Sequence, residues 1–310
     1  MTLYEPAYIK TYNSGLLNQK IEKANEALHN CKLCPRECGV DRHISKKGVC
    51  RTGFRARVVT YLPHFGEELS LRGTKGSGTI FFAFCSLLCN FCRNYHITHE
   101  TAGKEVSDNE LAEMMIFLQN QGCHNINFVT PSHVVPQILA ALKIAIAKGL
   151  KIPLVYDTSS YDSIAALKLL EDVVDIYMPD FKFWNPETAK LTCNAENYPE
   201  VARKTIIEMH RQVGDLVINE AGLAERGLLI RHLVLPKGLA DTAIIMKFIA
   251  NEISPQSYVD IMPQYTPCGE SFKIPGLAVP IQKKEFKAAI KDAEEAGITR
   301  LEEQKADFLL

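Results

Sequence analysis

FFAFCSLLCNFCRNY, residues 81–95, is the stretch on which the reading of this chain turns. It places Cys85, Cys89 and Cys92 within eight residues, spaced C-x3-C-x2-C, directly after the apolar run 79–84. Three thiolates on one short loop suit three irons of a [4Fe–4S] cluster. Electron-transfer clusters close every iron with a fourth cysteine; its absence here leaves one iron open to a small molecule and points to chemistry at the cluster. A three-thiolate zinc site would need a fourth ligand, for which His96 or His99 could serve.

Working outward from this loop, apolar strand-like runs alternate with helical periodicity. The runs 79–84, 125–130, 152–157, 173–180, 227–236 and 258–264 read as strands. Helices are predicted over 107–122, 133–149, 162–171, 199–213, 241–252 and 282–296. Ser107 and Glu110 have the spacing of a capping box. Six βα units in strict alternation predict an α/β fold with a parallel sheet, as a partial barrel or a doubly wound sheet. The three-cysteine loop follows the first of these strands, where both folds place their chemistry.

Before the first unit lie a short amphipathic helix over 16–30 and a segment rich in cysteine and charge. Cys31, Cys34, Cys38 and Cys50 follow C-x2-C-x3-C-x11-C. With so little apolar content, the segment needs a metal staple, zinc or a second iron–sulfur cluster. Structural zinc is favoured, because a closed four-thiolate site needs no redox partner. The expected division is residues 1–60 for this segment and 61–310 for the barrel.

A net charge of −1 excludes neither sign of partner outright but gives no bulk attraction to nucleic acid or anionic membrane. Lys32, Arg36, Arg42, Lys46 and Lys47 are the local exception that an RNA-binding scaffold would use. No apolar run approaches a membrane span, and the N-terminus lacks the pattern of a signal peptide. Of ten cysteines, seven fall in two clusters and Cys123, Cys193 and Cys268 are scattered, a distribution that favours metals over disulfides and agrees with a cytoplasmic protein.

The spacing at 85–92, with Phe91 before the last cysteine, resembles the radical S-adenosylmethionine (SAM) superfamily. The segments 31–50 and 64–95 resemble an uncharacterised branch of the pyruvate formate-lyase activating enzymes. That resemblance implies a partial (β/α)6 barrel and a [4Fe–4S] cluster whose open iron chelates SAM. One electron then splits SAM into methionine and a 5′-deoxyadenosyl radical, which takes hydrogen from a substrate. The substrate would be a protein or peptide, such as the glycine of a glycyl-radical enzyme, with flavodoxin or ferredoxin as reductant. Modification of a small molecule is the enzymatic alternative.

The resemblance also assigns residues. Phe91 and Tyr95 would lie near the adenine, with Ile97 beside them. Asp157, Thr158, Met178 and Asp180 would hold a monovalent cation beside the SAM carboxylate, and Arg231 would face that carboxylate. Read from chemistry alone, the aspartates could cap helices and Arg231 could pair with Asp180; Lys182 is ambiguous in the same way. The family's Gly-Gly-Glu-Pro motif is replaced by FVTPSH (128–133), leaving Thr130 and Ser132 as hydroxyl donors and His133 nearby. At 262–269, MPQYTPCG puts Tyr265 where the family has histidine, with Cys268 read as an uninvolved thiol. His64, Glu67 and Glu68 are noted as a candidate substrate-facing group.

Overall fold

A computed structural model describes residues 4–44, 48–100 and 103–303. Its strands are β1 (Ala56–His64), β2 (Ser77–Phe82), β3 (Lys104–Val106), β4 (Ile126–Val129), β5 (Leu154–Thr158), β6 (Ile176–Pro179), β7 (Val217–Ile218), β8 (Ala224–Leu233), β9 (Tyr258–Met262) and β10 (Arg300–Leu301). They form one sheet in the order β10-β9-β8-β6-β5-β4-β2-β1-β3, with β7 paired to β8. Neighbours from β2 through β10 run parallel along this path, while β1 is antiparallel to both β2 and β3.

The order separates the two architectures the alternation left open. A doubly wound sheet reverses direction at a switch point and covers both faces with helices. Here β2, β4, β5, β6, β8 and β9 are laid down in chain order without reversal. Right-handed crossovers then put every connecting helix on one face. The other face becomes the concave interior of a partial barrel. Strand alternation agrees. Leu154, Tyr156 and Tyr177 pack in the large outer core with the helices, while Val155, Ile176, Met178 and Leu229 form a separate inner cluster. Leu71, from the short helix Leu69–Arg72, closes that inner cluster.

Helices Asp108–Asn120, Val135–Ala147, Ile164–Leu170, Tyr198–Val213, Thr242–Phe248 and Lys283–Glu295 lie within a few residues of their expected bounds. The capping box is formed: the Ser107 Oγ accepts the Glu110 N–H at 3.2 Å, and Glu110 accepts the Ser107 N–H at 2.7 Å. The sequence reading passed over β1 and β3. Pro63 and three exposed residues in a row blur the alternation of β1, and β3 has three residues. Of the C-terminal stretch 299–310, Arg300–Leu301 adds β10 beside β9, and residues 304–310 lie outside the described residues. No described helix is long and apolar enough to cross a membrane.

The N-terminal residues are fastened beneath the barrel by Asp175. Its carboxylate accepts the Tyr4 hydroxyl at 2.7 Å, the Ala7 N–H at 2.8 Å and the Leu154 N–H at 2.8 Å. Burial outweighs these donors and pushes the carboxyl up from 3.8 to about 6. Between those values the folded chain keeps a proton that the unfolded chain releases. This group's contribution to stability therefore falls as pH rises from about 4 to 6, by about 3 kcal/mol. Denaturation midpoints taken across that window should show the slope in the native chain and lose it in Asp175→Asn.

Candidate active site

The cluster loop leaves the end of β2 through two strained residues. Phe84 and Leu88 take left-handed φ angles of 69° and 55°, each just before a cysteine, a conformation that costs a bulky residue of order 1–3 kcal/mol. These turns fold Cys85, Cys89 and Cys92 back on one another. All three remain unpaired to disulfides, and Cys85 and Cys89 are buried. Burial, then the neighbouring Cys89 and Cys92, push the Cys85 thiol up to about 12. The Leu87 N–H donates to the Cys85 Sγ at 3.3 Å, the kind of contact that tunes a ligated thiolate. Cys89 is raised first by hydrogen bonding with Cys193 and then by burial, so Cys193, read from sequence as scattered, lies against the loop.

No three of these sulfurs fall within 4.8 Å of one another; among the described residues only His29, Asp41 and His43 form such a set. Thiolates on one tetrahedral zinc would stand about 3.8 Å apart, from bonds of about 2.3 Å. Thiolates on separate irons of a cubane are held wider apart. Three thiols gathered on one loop, set wider than a single zinc would hold them, therefore fit the [4Fe–4S] group.

The loop is held from outside by arginines of the N-terminal segment. Arg36 donates to the carbonyls of Ser86 and Leu87 at 3.0 Å each, to Cys193 at 2.8 Å and to Asn194. Arg51 donates to the His99 carbonyl and lies 4.5 Å over the Phe84 ring. Arg42, 2% exposed, donates to Gly53 and to the His133 carbonyl at 2.7 Å. The basic residues Arg36 and Arg42, which an RNA-binding scaffold would use, are thus turned into the protein, and Lys46 and Lys47 lie outside the described residues. Charged hydrogen bonds of this kind contribute about 1.5–3 kcal/mol. Arg36→Ala should accordingly release the cluster to a chelator on the order of tenfold faster, measured by loss of its visible absorbance.

A second segment closes over the loop from the far end of the barrel. Cys268 donates its thiol to the Phe91 carbonyl at 3.2 Å, and the Glu270 N–H reaches the Asn90 carbonyl at 2.7 Å. Gly269 has φ +55°, and a Cβ there would lie 2.4 Å from the Tyr95 ring and 2.7 Å from the Asn90 oxygen. Only glycine permits this approach. Phe91 is buried, edge-on to Phe183 at 5.7 Å and tilted against Tyr265 at 6.2 Å, while Tyr95 stacks on His99 at 4.0 Å. The Tyr265 hydroxyl donates to the Leu277 carbonyl at 2.5 Å, and the Ile97 carbonyl accepts the Phe84 N–H at 2.9 Å.

Inside the barrel, Arg231 sits among carboxylates. Its Nε lies 2.9 Å from Asp180, its Nη2 pairs with Asp157, and its Nη1 lies 3.8 Å from Glu67. Lys182 adds a second cation on Asp180 at 2.6 Å. Burial works to raise Asp180, but Arg231 and then Lys182 outweigh it and hold the carboxyl below its usual range. Asp157 shares only Arg231, so burial and the charges of Asp180 and Glu67 push it up to about 7. Glu68, also in the interior, is driven well above its usual range by burial, then by Asp260 and Glu67. Its Oε2 and both amide atoms of Asn127 make no hydrogen bond. His64 pairs with Glu67 at 3.0 Å. The group His64, Glu67 and Glu68 therefore belongs to the same polar layer as Asp157, Asp180 and Arg231.

Other expected residues face elsewhere. Thr158 lies on the face of Tyr156, toward the helices. Its hydroxyl donates to Asp162 at 2.5 Å and is 3.1 Å from the Ser132 hydroxyl. Ser132 and Thr158 thus share a buried network with Asp162 and Tyr156, whose hydroxyl reaches Asp162 at 2.8 Å. Met178 lies on the inner face, wholly buried. Thr130, with φ 60°, donates its N–H to the Asp157 carbonyl at 3.0 Å. Burial and then Arg42 hold His133 neutral, at about 4.

A partial barrel with a three-thiol loop after its first parallel strand defines a class of cluster-bearing α/β proteins. Residues 79–223 match the family model of the radical SAM superfamily. Across 92% of its length the chain is 28% identical to an uncharacterized protein of Methanocaldococcus jannaschii, covering 80% of that relative. It resembles the crystal structure of HydG, a maturase of the [FeFe]-hydrogenase, with a TM-score of 0.50 and 13% identity, over 94% of this chain and 66% of that one. A radical SAM methyltransferase from Sphaerobacter thermophilus gives a TM-score of 0.48 and 11% identity, over 74% of this chain and 68% of that one. The HydG likeness concerns the fold. The family match, which begins within β2 and contains the cysteine loop, supports a radical SAM enzyme and with it the [4Fe–4S] cluster and SAM.

Proposed function

We propose that this chain is a radical SAM enzyme that abstracts hydrogen from a protein or peptide, in the manner of the activating enzymes its loop resembles. The observation that carries the reading is the convergence of Cys85, Cys89 and Cys92 on a loop pinned from both sides at the barrel mouth. When bound, the cluster supplies the electron that cleaves SAM to methionine and the 5′-deoxyadenosyl radical. The chain's part is to hold three thiolates, leave one side open, and exclude water with the Phe91–Phe183–Tyr265 packing. Arg231 and Lys182 are the cations of the interior, and both are already paired with Asp157 and Asp180, so a carboxylate-bearing ligand would have to take one of them from those pairs. An alkali ion at Asp157 and Asp180 would have to share both carboxylates with Arg231. Flavodoxin or ferredoxin is the expected electron donor, and the cytoplasm, where such donors reside, the expected compartment.

Anaerobic incubation with dithionite and SAM tests the proposal. It expects 5′-deoxyadenosine by mass spectrometry, and an organic radical on a glycyl-radical partner when the right one is supplied. No 5′-deoxyadenosine from cluster-loaded protein would contradict the enzyme class. A stable mass shift on a small molecule would move the substrate instead.

A further inference from the structure

We infer that Cys31, Cys34, Cys38 and Cys50 form a second, fully ligated iron–sulfur cluster, distinct from the one on the barrel loop. The comparison below rests on the radical SAM reading of that loop.

The four thiols converge without forming disulfides: the Gly39 N–H returns to the Cys31 carbonyl at 3.1 Å, the Cys38 Sγ lies 3.9 Å from that same carbonyl, and a Cβ at Gly48, two residues before Cys50, would stand 3.0 Å from the Cys38 sulfur. Cys31, Cys34 and Cys50 are buried. The surrounding core is small: Leu28, Leu33 and Ala166 beside Cys31, with Ala27, Cys38 and Val40 partly buried against them. Backbone turns aim the cysteines inward, as at the barrel loop. Glu37 and Arg51, with φ 40° and 53°, flank Cys38 and Cys50, just as Phe84 and Leu88 precede Cys85 and Cys89. Strain of this kind persists only where something over-determines it. A small apolar cluster does not, whereas metal–thiolate bonds do.

The sulfur spread chooses the metal. No three of the four sulfurs lie within 4.8 Å of one another, as on the barrel loop. A tetrahedral zinc would draw them to about 3.8 Å. The two thiol sets share the wider arrangement, so the expectation of structural zinc gives way to a cubane. With four cysteines every iron is closed, and SAM has no vacant position there. His29, Asp41 and His43, the nearby set that does lie within 4.8 Å, is already satisfied internally. Asp41 accepts the His43 N–H at 2.9 Å and pairs with His29 at 3.3 Å, and the two imidazoles stack at 4.2 Å.

The position has a consequence. Arg36 lies between Cys34 and Cys38 in sequence and binds Ser86 and Leu87 between Cys85 and Cys89. Arg51 follows Cys50 and binds the far end of the same loop region. The second cluster therefore scaffolds the first.

Iron, zinc and sulfide analysis with electron paramagnetic resonance (EPR) on the full chain, reconstituted anaerobically, tests this. The native chain should bind about eight irons and no stoichiometric zinc. The triple variant Cys85→Ala/Cys89→Ala/Cys92→Ala should keep about four irons and a reduced-cluster EPR signal that SAM leaves unmoved. Cys34→Ser/Cys50→Ser should lose that signal. One zinc with about four irons in the native chain, or no iron in the triple variant, overturns the inference. About four irons in the native chain, insensitive to SAM and retained in the triple variant, would uphold this cluster while defeating the radical SAM reading. Should the variants fail to fold, the iron and zinc totals of the native chain still decide.

Discussion

Alanine at Cys89 should reduce 5′-deoxyadenosine formation on the order of a thousandfold or more, to the assay background, while far-ultraviolet circular dichroism stays that of the native fold. The scale follows from what the cluster does. Enzymes lower barriers by 8 kcal/mol or more, roughly a millionfold in rate, and here the electron enters through one cofactor. Removing the central thiol of the loop leaves two, too few to hold the cubane in a single orientation. Cys193 touches Cys89 and could substitute as a ligand, so Cys89→Ala/Cys193→Ala should show the full loss. Cys123→Ser is the control: Cys123 is equally buried but packs against Gly78 at the start of β2, away from the loop. Loss of activity in that variant alone would place the chemistry elsewhere.

The second large effect concerns stability. Arg231→Met should lower the unfolding free energy by about 3–5 kcal/mol, read from denaturant titration at neutral pH. Arg231 and its partners Asp157 and Glu67 have side chains no more than 15% exposed. Removing the guanidinium leaves Asp157 without a cation, and Asp180 with Lys182 alone. The penalty comes from the buried polar groups left unpaired, Asp157 taking up a proton and Asp180 and Glu67 losing a partner, more than from the lost attraction. Adding Asp157→Asn to Arg231→Met should therefore recover part of the loss. A cost under about 1 kcal/mol, with no recovery in the double variant, would mean the interior is wetter than its burial indicates.

Local patterns in the sequence were enough for the barrel and its loop. Residues 79–84, 125–130 and their successors alternate with helical periods, and each of the six strands is found within a few residues of its run. The side on which the helices lie was beyond local pattern, because it follows from the order β2-β4-β5-β6-β8-β9, a property of pairing. Thr158 shows a signal that was present and unused. Adjacent strand residues face opposite ways, so Asp157 and Thr158 cannot both send side chains into the interior. Arg36 and Arg51 carried no such signal. Their partners, Ser86, Leu87 and His99, are 48 to 51 residues away, and the bonds go to backbone carbonyls, which every residue has. Cys193 and Cys268 looked scattered for the same reason: only the packing of helix Pro186–Cys193 and the loop after β9 brings them to the cluster loop.

The central claim is an iron with a vacant position, and EPR addresses it directly. The protein would be reconstituted anaerobically, reduced, and its spectrum recorded with and without SAM. The account predicts a [4Fe–4S]⁺ signal of which one component shifts on adding SAM, and predicts that this component is missing from Cys89→Ala/Cys193→Ala. A cluster spectrum wholly indifferent to SAM, or no cluster on the loop at all, would contradict it.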